Sequence, residues 1–275
     1  MSIVIDAIEG PSGAAVQWSD IDWSRVRHHV SRLQTRIVKA FKAGLWHRAR
    51  SLQRLLANSF YAKLLAVERI SSNRGKRTPG VDGVVLKTPQ SKWQQAQKLG
   101  AKDYKPQPLR RIYIPKKNGK RRPLGIPTQA DRAEQALELL ALDPVAECLA
   151  DPCSYGFRRG RSVHDAIQRC FGSLARGNMA EWILEGDIRG CFDNISHDWM
   201  VEHVPTHRKK LRAWLKAGFM ERGVFHPSKV GTPQGGIISP TAANVALDGL
   251  ESRLRRFSRR KVHLVRYADG TPVQA

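Results

Sequence analysis

Two short apolar runs, each closed by an aspartate, constrain this chain more than any other feature. Trp182-Ile183-Leu184-Glu185-Gly186-Asp187-Ile188 and Val262-His263-Leu264-Val265-Arg266-Tyr267-Ala268-Asp269 both read as strands. The first suits a central strand with an acid at its end. A lone acid in that position is more often a cap or a turn former. Two such acids brought together from separate strands form a hard-oxygen site suited to Mg²⁺.

The chain has 275 residues, 41% of them apolar, enough to bury a core. Against 24 Asp and Glu stand 47 Lys and Arg, a net charge of +23. Such an excess repels itself in a compact state, and a polyanionic partner is its usual reason. Nucleic acid fits better than an anionic membrane, because no run approaches the roughly 20 apolar residues of a span. Cys148, Cys153, Cys170 and Cys191 form no CxxC pair and read as core residues of a reducing compartment. With Asp6 and Glu9 near its start, the N-terminus does not read as a signal peptide. A cytoplasmic protein is expected.

Residues 1–17 read as a flexible tail. From Trp23, Val26, Val30, Leu33, Ile37 and Phe41 recur at helical spacing, Gly44 interrupts, and Leu45 through Leu64 continue the pattern. Between Arg25 and Arg77 there are 14 Lys or Arg and a single acid, Glu68. Solvated helices ordinarily mix both signs, so residues 18–83 read as a basic helical module that binds a nucleic-acid backbone. Arg27, Arg36, Lys39 and Arg48 are its candidate contacts. Residues 71–83 form a loop by composition and link this module to the rest, residues 84–275.

Arg111–Lys116 alternates in polarity, Asn118-Gly119 supplies a turn, and Arg121–Ile126 returns as a second strand. Lys116 and Arg122 are then expected opposite each other, placed to grip a triphosphate. Residues 129–149 read as a helix, and Ser162 is placed to cap the next one behind the arginines of Tyr155-Gly156-Phe157-Arg158-Arg159-Gly160-Arg161. Arginines beside a capped helix start suit phosphate. In Pro233-Gln234-Gly235-Gly236, paired glycines let backbone approach a ligand while Gln234 hydrogen-bonds it. A helix is expected over 241–254.

The order of these segments resembles that of reverse transcriptases, most closely the group II intron-encoded reverse transcriptase/maturases. The likeness runs from Trp18 to Asp269. It implies an α+β fingers and palm with an N-terminal basic helical module. It also implies RNA-directed DNA polymerisation with Mg²⁺, deoxynucleoside triphosphates, a DNA primer, and template or intron RNA. By position, Asp187 and Asp269 are implied as catalytic metal ligands, joined by the Ile188 carbonyl. Lys116 and Arg122 would grip the triphosphate, Phe192 would exclude a ribose 2′-hydroxyl, and Gln234 with Gly235 would line the nucleotide pocket.

Two departures stand out. The family pattern has a second Asp after Asp269, where this chain has Gly270. Losing one electrostatic group from such a site costs about 3 kcal/mol, over a hundredfold in rate. Thr271-Pro272-Val273-Gln274-Ala275 also replaces the expected hydrophobic return strand, and Pro272 is awkward in one. The pattern suggests a truncation or frameshift that leaves the palm incomplete and catalysis impaired. The alternative is a non-catalytic remnant that binds intron RNA.

Overall fold

The computed structural model describes residues 18–115, 119, 121–175, 182–257 and 262–274. Asp22 accepts hydrogen bonds from the Ser24 and Arg25 amides and starts α1 (Trp23–Lys42), which buries Val26, Val30, Leu33, Ile37 and Ala40. Gly44, at φ +70°, turns the chain into α2 (Trp46–Asn58). Ser59 is extended and breaks what the sequence joined, so α3 (Phe60–Ser72) is a separate helix. Thr88 and Ser91 form a capping box at the start of α4 (Pro89–Lys98).

Strands β1 (Leu109–Pro115) and β2 (Arg121–Ile126) pair antiparallel, as the alternation implies. Their register sets Arg122 opposite Ile114, not opposite Lys116, which lies outside the described residues. Helix α5 (Gln129–Leu149), capped by Thr128, matches the expected bounds. It is the axle of the fold. Leu137, Leu140, Ala141 and Val145 pack into an apolar cluster with α1–α4, while Leu139, Leu142 and Ala146 pack into a second cluster. That second cluster is completed by helices further along the chain.

Ser162 caps α6 (Val163–Leu174) in a capping box with Asp165, as expected. After β3 (Ile183–Asp187) come the short α7 (Cys191–Asn194), α8 (His197–His203) and α9 (Arg208–Leu215). The hairpin of β4 (Phe219–Glu221) and β5 (Val224–His226) adds to β1, giving the sheet order β2-β1-β4-β5. The helix expected over 241–254 is two helices, α10 (Ser239–Leu247) and α11 (Leu250–Phe257), because Asp248 is extended and Gly249 takes φ +92°. Helices α8, α9 and α10 supply Met200, Leu211, Trp214 and Ala242 to the second cluster.

The last sheet corrects the sequence reading twice. Its order is β3-β7-β6, with β6 at His263–Leu264 and β7 at Gly270–Gln274. The return strand therefore forms, and it is β7 that is central while β3 lies at an edge. Pro272 is accommodated by register. It faces Glu185 one step from the pairs that exchange hydrogen bonds with β3, so its missing N–H costs nothing on that side. The cost falls on the other side, where the β6 ladder stops at Leu264 and Val265 is unpaired as a strand residue.

Leu137 is fully buried where α5 meets the N-terminal helices. Leu137→Ala is expected to lower unfolding stability by about 2–5 kcal/mol, read as a shifted urea midpoint by tryptophan fluorescence.

Candidate active site

The β3–β7 register sets Asp187 opposite Gly270, and the Ile188 amide donates to the Asp269 carbonyl at 3.4 Å. Reciprocal bonds between Tyr267 and Gly270, at 2.9 and 3.1 Å, close a two-residue turn over Ala268 and Asp269. The two expected acids thus meet at one end of the sheet. Cys191, buried at the start of α7, senses both. Burial pushes its thiol up, and the charges of Asp269, Asp187 and Asp193 push the same way.

Arg266 holds this turn. Only 1% exposed, its guanidinium bonds Asp248 at 2.6 Å, Asn244 at 3.0 Å and the Ala268 carbonyl at 3.3 Å. Its backbone pairs with Cys153 and Tyr155, each at 2.8 Å. Asn244 in turn donates to the Gly156 carbonyl at 2.8 Å. At Gly156 a Cβ would stand 2.3 Å from the Ala268 amide nitrogen, so only glycine allows the loop to press against the turn. Burial pushes the Asp248 carboxyl up and the Arg266 guanidinium down, while each partner's charge opposes the other's shift.

The nucleotide-pocket candidates also converge. Phe192, Asp193 and Gln234 line a cavity of about 330 Å³ together with Arg111 and Trp214. Arg122 Nε donates to Gln234 Oε1 at 2.5 Å, and Gln234 Nε2 faces Asp193 at 3.4 Å. Phe192 is buried, edge-on to Phe157. Gly235, at φ +127°, presses on the Gly125 carbonyl, where a Cβ would come within 2.5 Å, so its close approach is to the β1–β2 hairpin. Arg158 is likewise committed, to Glu147 and to the carbonyls of Asp151 and Ser154, and is a loop clamp instead of a phosphate ligand.

Asp187 and Asp269 are hard donors that suit Mg²⁺. The Ile188 carbonyl accepts from the Cys191 amide at 3.3 Å, which leaves one lone pair for a metal. Gly270 offers no side-chain oxygen, and no group of three or more His, Cys, Asp or Glu at metal-binding geometry occurs among the described residues. The donor set fits a cation whose remaining positions are filled by water and substrate.

The family described as reverse transcriptase (RNA-dependent DNA polymerase) matches residues 114–273, and the N-terminal domain of reverse transcriptase matches residues 18–99. This chain belongs to the reverse transcriptase family. It is 38% identical to Protein YkfC of Escherichia coli K12 over 74% of its length and 57% of that protein. It is 39% identical to the group II intron-encoded protein LtrA of Lactococcus lactis over 68% of its length and 32% of that protein. An uncharacterized 91 kDa protein in the cob intron of Schizosaccharomyces pombe is 34% identical over 68% of this chain and 24% of that protein. These likenesses make it a group II intron-type reverse transcriptase/maturase by descent, one that spans about a quarter to three-fifths of these relatives' lengths.

In this reverse transcriptase chain the four candidate RNA contacts do not form one patch. All are exposed. Arg36 and Lys39 share a stripe of α1 with Arg25 and Arg32, at steps of seven, four and three residues, whereas Arg27 points about half a turn away. Arg48 lies on α2. His29 reports the stripe: burial and then the charges of Arg32, Arg25 and His28 hold its imidazole below the ordinary value. Sequence reasoning missed Arg25 and Arg32, although helical spacing alone identifies them. Among the described residues no helix is long and apolar enough to cross a membrane.

Arg266→Met is expected to cost about 3–5 kcal/mol near neutral pH, because it leaves Asp248 buried and unpaired. Asp248 titrates above its unfolded value, so its protonated form favours the native state. Part of the loss should therefore return as pH falls from about 7 to about 5, measured by thermal unfolding across pH.

Proposed function

We propose that this chain is the fingers and palm of an RNA-directed DNA polymerase of the group II intron type, with residues 18–83 as its RNA-binding module. The observation that supports the reading is the β3–β7 register, which pairs Asp187 with Gly270 next to Asp269, while Phe192 and Asp193 of the following α7 line a cavity with Gln234. Asp187 and Asp269 would hold Mg²⁺, with the free lone pair of Ile188 as a further donor. When bound, Mg²⁺ supplies charge neutralisation for the primer 3′-hydroxyl and the triphosphate. Arg122, tethered by Gln234, offers a bidentate cation to the phosphates, and Lys116 would add a point charge. Phe192 would bar a 2′-hydroxyl by its bulk. Deoxynucleoside triphosphates, a DNA primer and template or intron RNA are the proposed partners.

A second reading is supported by Gly270. With one carboxylate missing, the chain would bind intron RNA through its N-terminal helices without polymerising. The backbone does not forbid repair. Gly270 is outside the left-handed region, and a Cβ there meets only the Tyr267 carbonyl at 3.7 Å. Gly270→Asp is therefore expected to fold and to raise Mg²⁺-dependent primer extension on an RNA template by about a hundredfold, roughly 3 kcal/mol. Asp187→Ala in the same background should abolish extension. Extension seen only after Gly270→Asp, with none from the chain as it stands and RNA binding retained, would favour the second reading.

A further inference from the structure

A groove of about 900 Å³ lies between α2, the 100–104 loop and α8–α9. It shares no lining residue with the nucleotide cavity, and α9 is the wall between them: Trp214 and Leu215 face the cavity, while Lys209, Lys210 and Ala213 face the groove. Trp214 is locked in that wall by its indole N–H, which donates to the Tyr104 hydroxyl at 2.8 Å. The groove's cations come from both halves of the chain. Arg50 and Arg54 project from α2, Lys102 from the loop, and Arg208 and Lys209 from the start of α9.

All five are exposed, and among the described residues none forms an ion pair. Arg208 only touches the Glu202 carbonyl, at 3.3 Å. Lys210 is different. It bonds Glu138 at 2.7 Å and lies 3.7 Å from Glu134, so the groove's inner acid has a dedicated partner; the exposed Glu202 is the other acid of the lining, and five rim cations outnumber it. An unpaired cluster drawn from three segments is costly by self-repulsion unless an anion fills it.

The chemistry narrows the anion. Large exposed apolar side chains are missing from the lining, so a membrane surface has nothing to bury. Tyr104 is half-buried against Trp214, with its hydroxyl donating to Asp131 at 2.6 Å, His203 is stacked on Trp199, and His207 caps α9 by accepting from the Lys210 amide at 3.4 Å. A base therefore finds no free platform, while a phosphodiester chain finds cations along its path. We propose that this groove is a second nucleic-acid track, held through backbone phosphates without sequence preference and separated from the polymerase cavity by α9. The proposal rests on the reading of residues 18–83 as a nucleic-acid-binding module, to which Arg50 and Arg54 belong, and does not depend on polymerisation.

The test is fluorescence anisotropy of the full chain with a labelled RNA hairpin, and with a DNA hairpin of matching sequence, across a salt series. Arg50→Ala/Arg54→Ala/Lys209→Ala is expected to weaken binding at least tenfold near physiological salt. The log–log salt slope should fall by about two to three, at about 0.9 for each phosphate that is no longer neutralised. Arg25→Ala/Arg32→Ala/Arg36→Ala on α1 tests the N-terminal helix by itself, and its loss should add to that of the groove variant when the two sets are combined. A larger loss with RNA than with DNA names RNA as the occupant, and the reverse names DNA. Unchanged affinity and slope in the groove variant would overturn the proposal, as would tighter binding of a poly-glutamate peptide than of either hairpin. Should the triple variant fold poorly, Lys209→Glu alone changes an exposed side chain and must still lower both affinity and slope.

Discussion

Everything in this molecule hangs on the polar side chains buried along α5. A helix whose charged residues face inward is unstable unless each finds a partner, because an unpaired buried charge is strongly disfavoured. Here most of the partners lie on other segments of the chain. Asp131 accepts from Tyr104, Thr128 and the Gln107 amide; Arg132 donates to the carbonyls of Gly75, Thr78 and Pro127. Glu134 receives the Gly100 amide, Gln135 the Ile237 amide, and Glu138 the Lys210 ammonium. Burial pushes the Asp131 and Glu134 carboxyls up, and these bonds pull them back. The loop that composition marked as a linker is thereby pinned to the helix it precedes.

The same logic, a buried charge satisfied by distant segments, recurs at the acid pair. Arg266 ties the Ala268–Asp269 turn to Asp248 and Asn244, and so to the loop that carries Gly156. In the proposed reading the carboxylates meet a cation on their solvent side. The turn that carries Asp269 is held from behind by the buried Arg266. Gln234 stands in a comparable position, bridging Arg122 on the β1–β2 hairpin and Asp193 on α7, so hairpin and palm are coupled through one side chain.

The elements with strong local signals were readable: α1 from its apolar spacing, α5 to its end residues, the β1–β2 hairpin from alternation, and α6 from Ser162. Errors came where pairing outweighed local preference. Pro272 looked incompatible with a strand, yet register turned its missing donor away from β3. The run before Asp187 looked central because it is apolar, yet Trp182, Ile183 and Leu184 are exposed on an edge strand. Asp248 and Gly249 split a helix that periodicity joined, because Asp248 is needed by Arg266.

The sequence by itself determined the chemistry on offer: two strand-end acids, a basic N-terminal half, a glutamine between glycines, and a glycine where the family carries its further acid. Their residue types and order suffice for that, since side-chain chemistry is local. Only the tertiary structure decided which of these meet. Asp187 and Asp269 are joined by strand register, Arg266 by burial, and the cations of α2 and α9 by helix packing across α5. Those contacts join residues far apart in the chain, and no local pattern encodes such distances.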